Sequence, residues 1–139
     1  MIQERKELSW RQFDVAVSKM AAQVESQIKN DRSNVVIIGI PRGGLCVAVA
    51  LSHAIGVPMV NNIADVKGKR VIVVDEIVDS GETLCFFVRD VLKQGGDVEM
   101  CCAWIGRTGH KELSSTILFV VDEHDTDDWF VFPWENKDE

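Results

Sequence analysis

No stretch of this chain approaches the roughly 20 consecutive apolar residues that a membrane-spanning helix needs. The longest candidate, Leu45–Ile55, is too short and contains His53. The opening Met1-Ile2-Gln3-Glu4-Arg5-Lys6 is charged and has no apolar segment behind it, unlike a secretory leader. A soluble, cytoplasmic protein without a membrane partner is therefore expected. Basic residues are outnumbered too: 15 Lys and Arg stand against 22 Asp and Glu, a formal net charge of −7. Such a surface repels a phosphate backbone, so nucleic acid is not expected as a partner. A small phosphorylated ligand stays open, because Mg²⁺ and backbone amides hold phosphate without a basic surface.

Metal and redox patterns are missing as well. Cys46, Cys85, Cys101 and Cys102 form no C-x-x-C pair and sit among apolar neighbours, which reads as reduced core thiols. His53, His110 and His124 show no ligand spacing, and His53 reads as a helix-face residue. The acidic run Asp122–Asp128 lacks the spacing of a calcium loop and reads as a solvated turn. The chain contains neither a Walker-type Gly-Lys-Ser/Thr nor G-x-G-x-x-G. Repeats, linkers and low-complexity segments are also absent.

What remains is an ordinary globular mixture, 46% hydrophobic and 27% charged, in 139 residues. That predicts one domain, 1–139, able to bury roughly two thirds of the unfolded surface. Ser9 is a candidate N-cap for a helix over Arg11–Asn30, with Trp10, Phe13, Val17, Met20, Ala21, Val24 and Ile28 at three- and four-residue steps. Val35–Ile40 and Val71–Val74 are unbroken apolar runs, as expected of strands covered on both faces. Helices are predicted at Leu45–Ile55, closed by Gly56, and at Glu82–Lys93, closed by Gly95-Gly96. Further strands are expected at Val57–Val60, Val98–Ile105 and Ile117–Val121, with polar loops at Asn61–Lys69 and Asp75–Gly81. Strands alternating with helices predict an α/β fold, a Rossmann-like parallel sheet flanked by helices. Ligands of such folds bind at the carboxyl ends of the strands.

The informative segment is Val71–Leu84. A buried strand delivers the adjacent acids Asp75 and Glu76, then Ile77-Val78, then Asp79, then Ser80-Gly81-Glu82-Thr83 opening a helix. Free amides and two hydroxyls at a helix N-terminus make a pocket for a phosphate dianion, and Gly81 leaves it open. Asp75 and Glu76 can accept hydrogen bonds from a pair of vicinal hydroxyls, as on a ribose. Asp79 can move a proton or stabilise a positive charge, although a plain helix cap would look the same. Two further acids after a buried strand are harder to explain as caps, since unpaired carboxylates are costly to bury.

At this length the segment resembles the phosphoribosyl-diphosphate motif of the type I phosphoribosyltransferases. The resemblance implies that Asp75 and Glu76 meet the ribose hydroxyls and hold Mg²⁺, that Ser80, Gly81, Glu82 and Thr83 cradle the 5′-phosphate, and that Asp79 lies near the base. Upstream, Ile40-Pro41-Arg42-Gly43-Gly44 resembles the family's diphosphate loop, with Arg42 offering a fork for phosphate oxygens and the glycines permitting unusual dihedrals. The opening Ser9-Trp10, the two loops and the Trp129-Phe130…Pro133-Trp134 ending are most similar to the small xanthine-guanine phosphoribosyltransferases. That similarity implies transfer of phosphoribosyl from its diphosphate to a 6-oxopurine base, with Trp129 and Phe130 forming the purine pocket. Phe132 and Trp134 are read as anchors. The apolar stretch Trp129–Trp134 makes a homo-oligomer, dimer or tetramer, expected.

Two departures stand out. Where the group has a lysine that recognises the 6-oxo substituent, this chain has Arg107, in Ile105-Gly106-Arg107-Thr108-Gly109. Arg107 either donates to that group or is a surface residue in a turn. The family's long hood over the ribose is also missing, with only Asn61–Arg70 in its place. Either another subunit closes the site, or closure is partial, or the chain binds its ligand without efficient turnover, as ligand-responsive regulators of this family do. Action on another base is the remaining alternative.

Overall fold

The structure, a computed structural model, describes residues 3–109 and 116–135. Met1, Ile2, His110 and the charged tail after Glu135 lie outside them. In chain order the elements are β1 (Arg5–Glu7), α1 (Trp10–Ile28), β2 (Val35–Gly39), α2 (Gly43–Ile55), β3 (Met59–Val60), a 3-10 turn (Ile63–Val66), β4 (Arg70–Val78), α3 (Glu82–Lys93), β5 (Asp97–Arg107), β6 (Leu118–His124) and β7 (Trp129–Val131). Five strands form a parallel sheet in the order β3-β2-β4-β5-β6, and β1 pairs with β7 in a separate two-stranded parallel sheet. This is the α/β arrangement that the alternating pattern predicts. None of the described helices is long and apolar enough to cross a membrane.

The pleat divides the core in two, because successive strand side chains point to opposite faces. Ile37, Ile72, Val74, Met100 and Trp104 face α1 and α2, where they meet Phe13, Met20, Val24 and Leu51. Val36, Ile38, Val71, Val73, Cys101 and Ala103 face α3 and meet Leu84, Val88 and Val91. Both faces of β2 and β4 are thus covered, which is why those strands are apolar without alternation. Burial pushes the Cys102 thiol up to about 12 and the Cys101 thiol higher still. These two are inert core groups, whereas Cys46 and Cys85 are only half-buried.

Helix ends follow local chemistry. Ser9 and Gln12 form a reciprocal capping box, Ser9 Oγ accepting from Gln12 N at 3.1 Å and Gln12 Oε1 accepting from Ser9 N at 2.7 Å. Helix α1 stops two residues before the expected Asn30, because Lys29 and Asn30 adopt left-handed backbone. Gly56 closes α2 in the left-handed region, as its position predicts. Helix α2 starts two residues earlier than expected, at Gly43.

Several strands outrun the sequence reading. Strand β4 runs to Val78 rather than stopping at Val74, since Asp75, Ile77 and Val78 pair with Ala103, Ile105 and Gly106 of β5. The two acids are therefore strand residues and not loop residues. Strand β6 carries Asp122, Glu123 and His124, paired with Ile105, Gly106 and Arg107. Asp128, expected in a solvated turn, is buried. The segment Asn61–Lys69 is not a free loop either. Asn62 caps its 3-10 turn, Val66 is fully buried, and Gly68 N donates to Gly95 O at 3.0 Å. It is fastened beside the end of α3 and leaves no hood over the strand ends.

Candidate active site

Strand β2 ends beside Val74, and the chain then turns through Ile40–Arg42 into α2. The Pro41–Arg42 peptide is cis. The first turn of α2 presses onto the two acids of β4. A Cβ on Gly39 would stand 2.4 Å from Gly44 O, and one on Gly44 would stand 2.8 Å from Val74 O. A Cβ on Gly43 would overlap Glu76 Oε2. Gly43 and Gly44 do not have positive φ, so close approach is the reason for these glycines, in place of the expected unusual dihedrals. Gly44 N also donates to Ile40 O at 2.9 Å, so its amide is already engaged within the loop. Gly44 is a packing residue, while the exposed Arg42 and the half-buried Gly43 line the larger of two cavities.

The differing obstacles predict differing outcomes. Gly39→Ala meets backbone and is expected to lower unfolding free energy by about 1–3 kcal/mol, the usual range for overpacking. Gly43→Ala meets only the flexible end of Glu76, so its urea midpoint should stay near wild type while ligand affinity falls. Equal midpoints for the two variants would contradict this account.

Two adjoining cavities open at the carboxyl ends of the strands. The smaller, about 210 Å³, lies over the start of α3 and is lined by Ile40, Pro41, the segment from Asp75 to Gly81, Thr83 and Leu84. Gly81 is the N-cap of α3 with φ +91°, a conformation that favours glycine. Ser80 Oγ accepts from Glu82 N at 3.3 Å. Glu82 itself points outward and lines neither cavity. The larger cleft, about 730 Å³, is walled by Arg42, Gly43 and Cys46 on one side and by Trp129, Phe130, Phe132, Trp134 and Glu135 on the other. Glu76, Ile77 and Asp79 line both cavities. A ligand spanning the two must pass over them.

The acids differ in their surroundings. Asp75 is 6% exposed, and its Oδ1 accepts from Glu76 N at 2.8 Å. Burial, and then the neighbouring Glu76 carboxylate, push the Asp75 carboxyl up to about 9. Burial raises Glu76 as well. No cation pairs with either among the described residues. A carboxyl raised in the folded state binds its proton more tightly there than in the unfolded chain. Its stabilising contribution is complete below about pH 4 and is lost as pH rises toward about 9. Ligand-free protein should lose stability over that window, and Asp75→Asn should flatten the loss. The variant should melt several degrees above wild type at pH 8, with the gap closing near pH 5, since about 1 kcal/mol moves a melting point by roughly 2–8 °C in this size range. A constant gap in Tm across that window would mean that Asp75 is ionised throughout.

Asp79 sits beyond the end of β4 with its side chain 77% exposed, and its Oδ1 lies 3.3 Å from Arg107 Nε. Arg107 is not a free residue in a turn. It closes β5, its side chain is 20% exposed, and it donates to Thr126 O at 2.7 Å and to Asp128 O at 2.8 Å. Its guanidinium lies over the Phe130 ring at 5.5 Å. The turn that holds it is itself fastened. Asp128 accepts from the Thr126 hydroxyl at 2.9 Å and from Glu4 N at 3.1 Å, and pairs with Lys6 Nζ at 3.4 Å. These contacts, the Thr126 hydroxyl first, hold its carboxyl below the usual range.

On β7, Trp129 and Phe130 alternate. Trp129 is 58% exposed at the cleft, and Phe130 is buried beneath it against His124. Phe132 and Trp134 are anchors, as expected: they stack at 5.3 Å and pack on Trp104, with Trp134 also against Phe13. The same rings also wall the cleft, which the sequence reading missed. Most of the stretch 129–134 faces inward, so it offers little surface for self-association. Cys46 and Glu135 were missed too. Cys46 lies three residues after Gly43 on α2, and that helical spacing could have placed both on one wall.

Residues 58–138 match the phosphoribosyl transferase domain family. The match begins after the Arg42–Gly44 loop, which rests on its geometry alone. Among characterised relatives, the transcriptional regulator GfcR of Thermoplasma acidophilum is 26% identical over 77% of this chain and 65% of its own length. The chain therefore spans about two thirds of that regulator. Hypoxanthine phosphoribosyltransferase of Escherichia coli is 23% identical over 75% of this chain and 71% of its own. The crystal structure of a purine phosphoribosyltransferase from Pyrococcus horikoshii superposes with a TM-score of 0.74 at 28% identity, covering 96% of each chain. With its motif lying across two adjoining cavities, its parallel sheet and these matches, the chain belongs to the phosphoribosyltransferase family.

Proposed function

We propose that the protein transfers the 5-phosphoribosyl group of phosphoribosyl diphosphate to N9 of a 6-oxopurine (guanine, xanthine or hypoxanthine), releasing diphosphate. The observation that carries this reading is the continuity of a phosphate-sized cavity and an aromatic cleft across Glu76, Ile77 and Asp79. Ser80, Gly81 and Thr83, with the first-turn amides of α3, receive the 5′-phosphate. Asp75 and Glu76 accept the ribose hydroxyls below. Arg42 and the Gly43 amide receive the departing diphosphate. Trp129 offers its face to the purine above the buried Phe130. As the bond from ribose C1′ to diphosphate oxygen breaks and the bond to N9 forms, the base must lose a proton, and Asp79 at the junction takes it.

Magnesium fits this arrangement. Asp75 and Glu76 are two adjoining carboxylates with no cation paired to them among the described residues, and a cation that binds through one or two carboxylates plus phosphate oxygens suits them. When bound, Mg²⁺ supplies neutralising charge at the diphosphate. The choice of a 6-oxo base is supported by likeness to the hypoxanthine enzyme. Cytoplasmic work accords with the absence of an apolar spanning helix among the described residues. A homo-oligomer, dimer or tetramer, belongs to the same reading. Its apolar surface would come from the exposed Phe86 and Leu92 of α3, and sedimentation equilibrium measures it.

A second reading is a ligand-responsive regulator without turnover. It is favoured by the fastening of Asn61–Lys69 onto the body, which leaves no hood, and by the relative that is a transcriptional regulator. One assay separates the two. The protein is mixed with phosphoribosyl diphosphate, Mg²⁺ and guanine, xanthine, hypoxanthine, adenine or uracil, and nucleotide and diphosphate are measured. Nucleotide from the 6-oxopurines and none from uracil is expected. Donor binding with no product from any base would leave only the regulator.

A further inference from the structure

We propose that Arg107 is a positioning residue: a strut that holds Asp79 at the junction of the two cavities, and not the group that reads the purine 6-substituent. This rests on the transferase reading above for its kinetic consequences, although the strut itself can be measured without turnover.

Each guanidinium nitrogen of Arg107 faces a protein oxygen. Nη1 donates to Thr126 O at 2.7 Å, Nη2 donates to Asp128 O at 2.8 Å, and Nε faces Asp79 Oδ1 at 3.3 Å. Two carbonyls and one ring face fix the plane of the fork, with Phe130 at 5.5 Å. The carbonyls cannot drift, because the buried Asp128 carboxylate ties their turn to Glu4 N and to Lys6. Asp79 is in the opposite condition. Its side chain is 77% exposed, and Arg107 is its ion-pair partner among the described residues. A rigid cation beside a loose carboxylate orients the carboxylate. Arg107 lines the larger cleft, but three of its five N–H donors already face protein oxygens, and turning the fork toward a base substituent would give up these charge-assisted contacts. Lysine cannot replace the strut. Its ammonium is a point charge on a flexible stem and cannot hold two carbonyls and a carboxylate in one plane.

The test is a double-mutant cycle read in steady-state kinetics. Arg107→Lys is expected to lower kcat about tenfold or more while the KM for the base stays within about threefold, the pattern of an interaction made only in the transition state. In an Asp79→Asn background the same change should lower kcat less than about threefold, since Arg107 would act through a group already removed. A raised KM with kcat preserved would overturn the strut in favour of base reading. So would an undiminished loss of kcat in the Asp79→Asn background. Should wild type form no nucleotide at all, the transferase reading fails and the strut is read by NMR. The Arg107 Nε–H resonance should then be resolved and slowly exchanging, and it should shift in Asp79→Asn, a variant whose exposed position preserves the fold. A solvent-averaged resonance, or one indifferent to Asp79, overturns the proposal in either case.

Discussion

Trp104→Ala is expected to lower the unfolding free energy by about 3–5 kcal/mol, the range for removing a large buried aromatic. Trp104 is 1% exposed on β5 and is the largest of the fully buried side chains. It joins parts of the chain that are distant in sequence. Its ring lies 5.5 Å from Phe13 of α1, 5.5 Å from Phe132 and 6.4 Å from Trp134. Truncation leaves a void that three other rings line, and stiff aromatic rings close a void poorly. Urea denaturation measures the loss, with the exposed Val49→Ala as a control that should stay within about 0.5 kcal/mol of wild type. A Trp104→Ala loss below about 1 kcal/mol would mean that the aromatic cluster repacks freely. Because Phe132 and Trp134 also wall the larger cleft, the variant should weaken purine binding more than donor binding.

Asp79→Asn is expected to reduce turnover by about a hundredfold or more, within the span attributed to general acid–base groups. Donor affinity should hold within about threefold. The amide keeps the size of the carboxylate but cannot accept the proton that N9 must lose. It is also exposed, so folding is not at stake. Asp75→Asn should show the reverse order of effects, because Asp75 lines the smaller cavity, where the proposed reading seats the ribose, and its change should cost donor affinity first. Single-turnover kinetics with separate titration of the donor distinguishes the two profiles. Turnover near wild type in Asp79→Asn would remove Asp79 from the chemistry.

The parts of the fold that were legible in the sequence are those in which one local rule acts alone. The unbroken apolar runs 35–40 and 71–74 gave away a sheet covered on both faces, and Ser9 gave away a helix start. The smaller cavity was legible for a similar reason, since most of its lining from Asp75 to Thr83 lies together in sequence and in space. What escaped depends on distant partners. Arg5-Lys6-Glu7 is exposed and polar and looks like a tail; only backbone bonds to 129–131 make it a strand. Asp75 and Glu76 look like loop residues because acids are rare in buried strands, yet β5 pairs with them to the end of β4. Arg107 looked like a reader of the base or a surface residue. Its fixed orientation emerges only once Thr126, Asp128 and Phe130 are seen around it.

The separate sheet of β1 and β7 divides the molecule by the entropy of chain closure. The smaller cavity is built largely from β4 and the residues that follow it, while the far wall of the larger cleft is tied down by bonds between residues as far as 124 positions apart, such as Gln3 to Asp127. Closing so long a loop is entropically unfavourable, and three exposed strand residues bury little surface to offset it. The β1–β7 side of the larger cleft is thus expected to open at the lowest free energy in native-state hydrogen exchange, with the Leu8 and Trp129 amides exchanging ahead of those in β4. A purine nucleotide lying on Trp129 should slow those two amides, and phosphoribosyl diphosphate alone should not. Occupancy of the larger cleft then becomes readable at the Leu8 amide, beside a strand, β1, that lines neither of the two cavities.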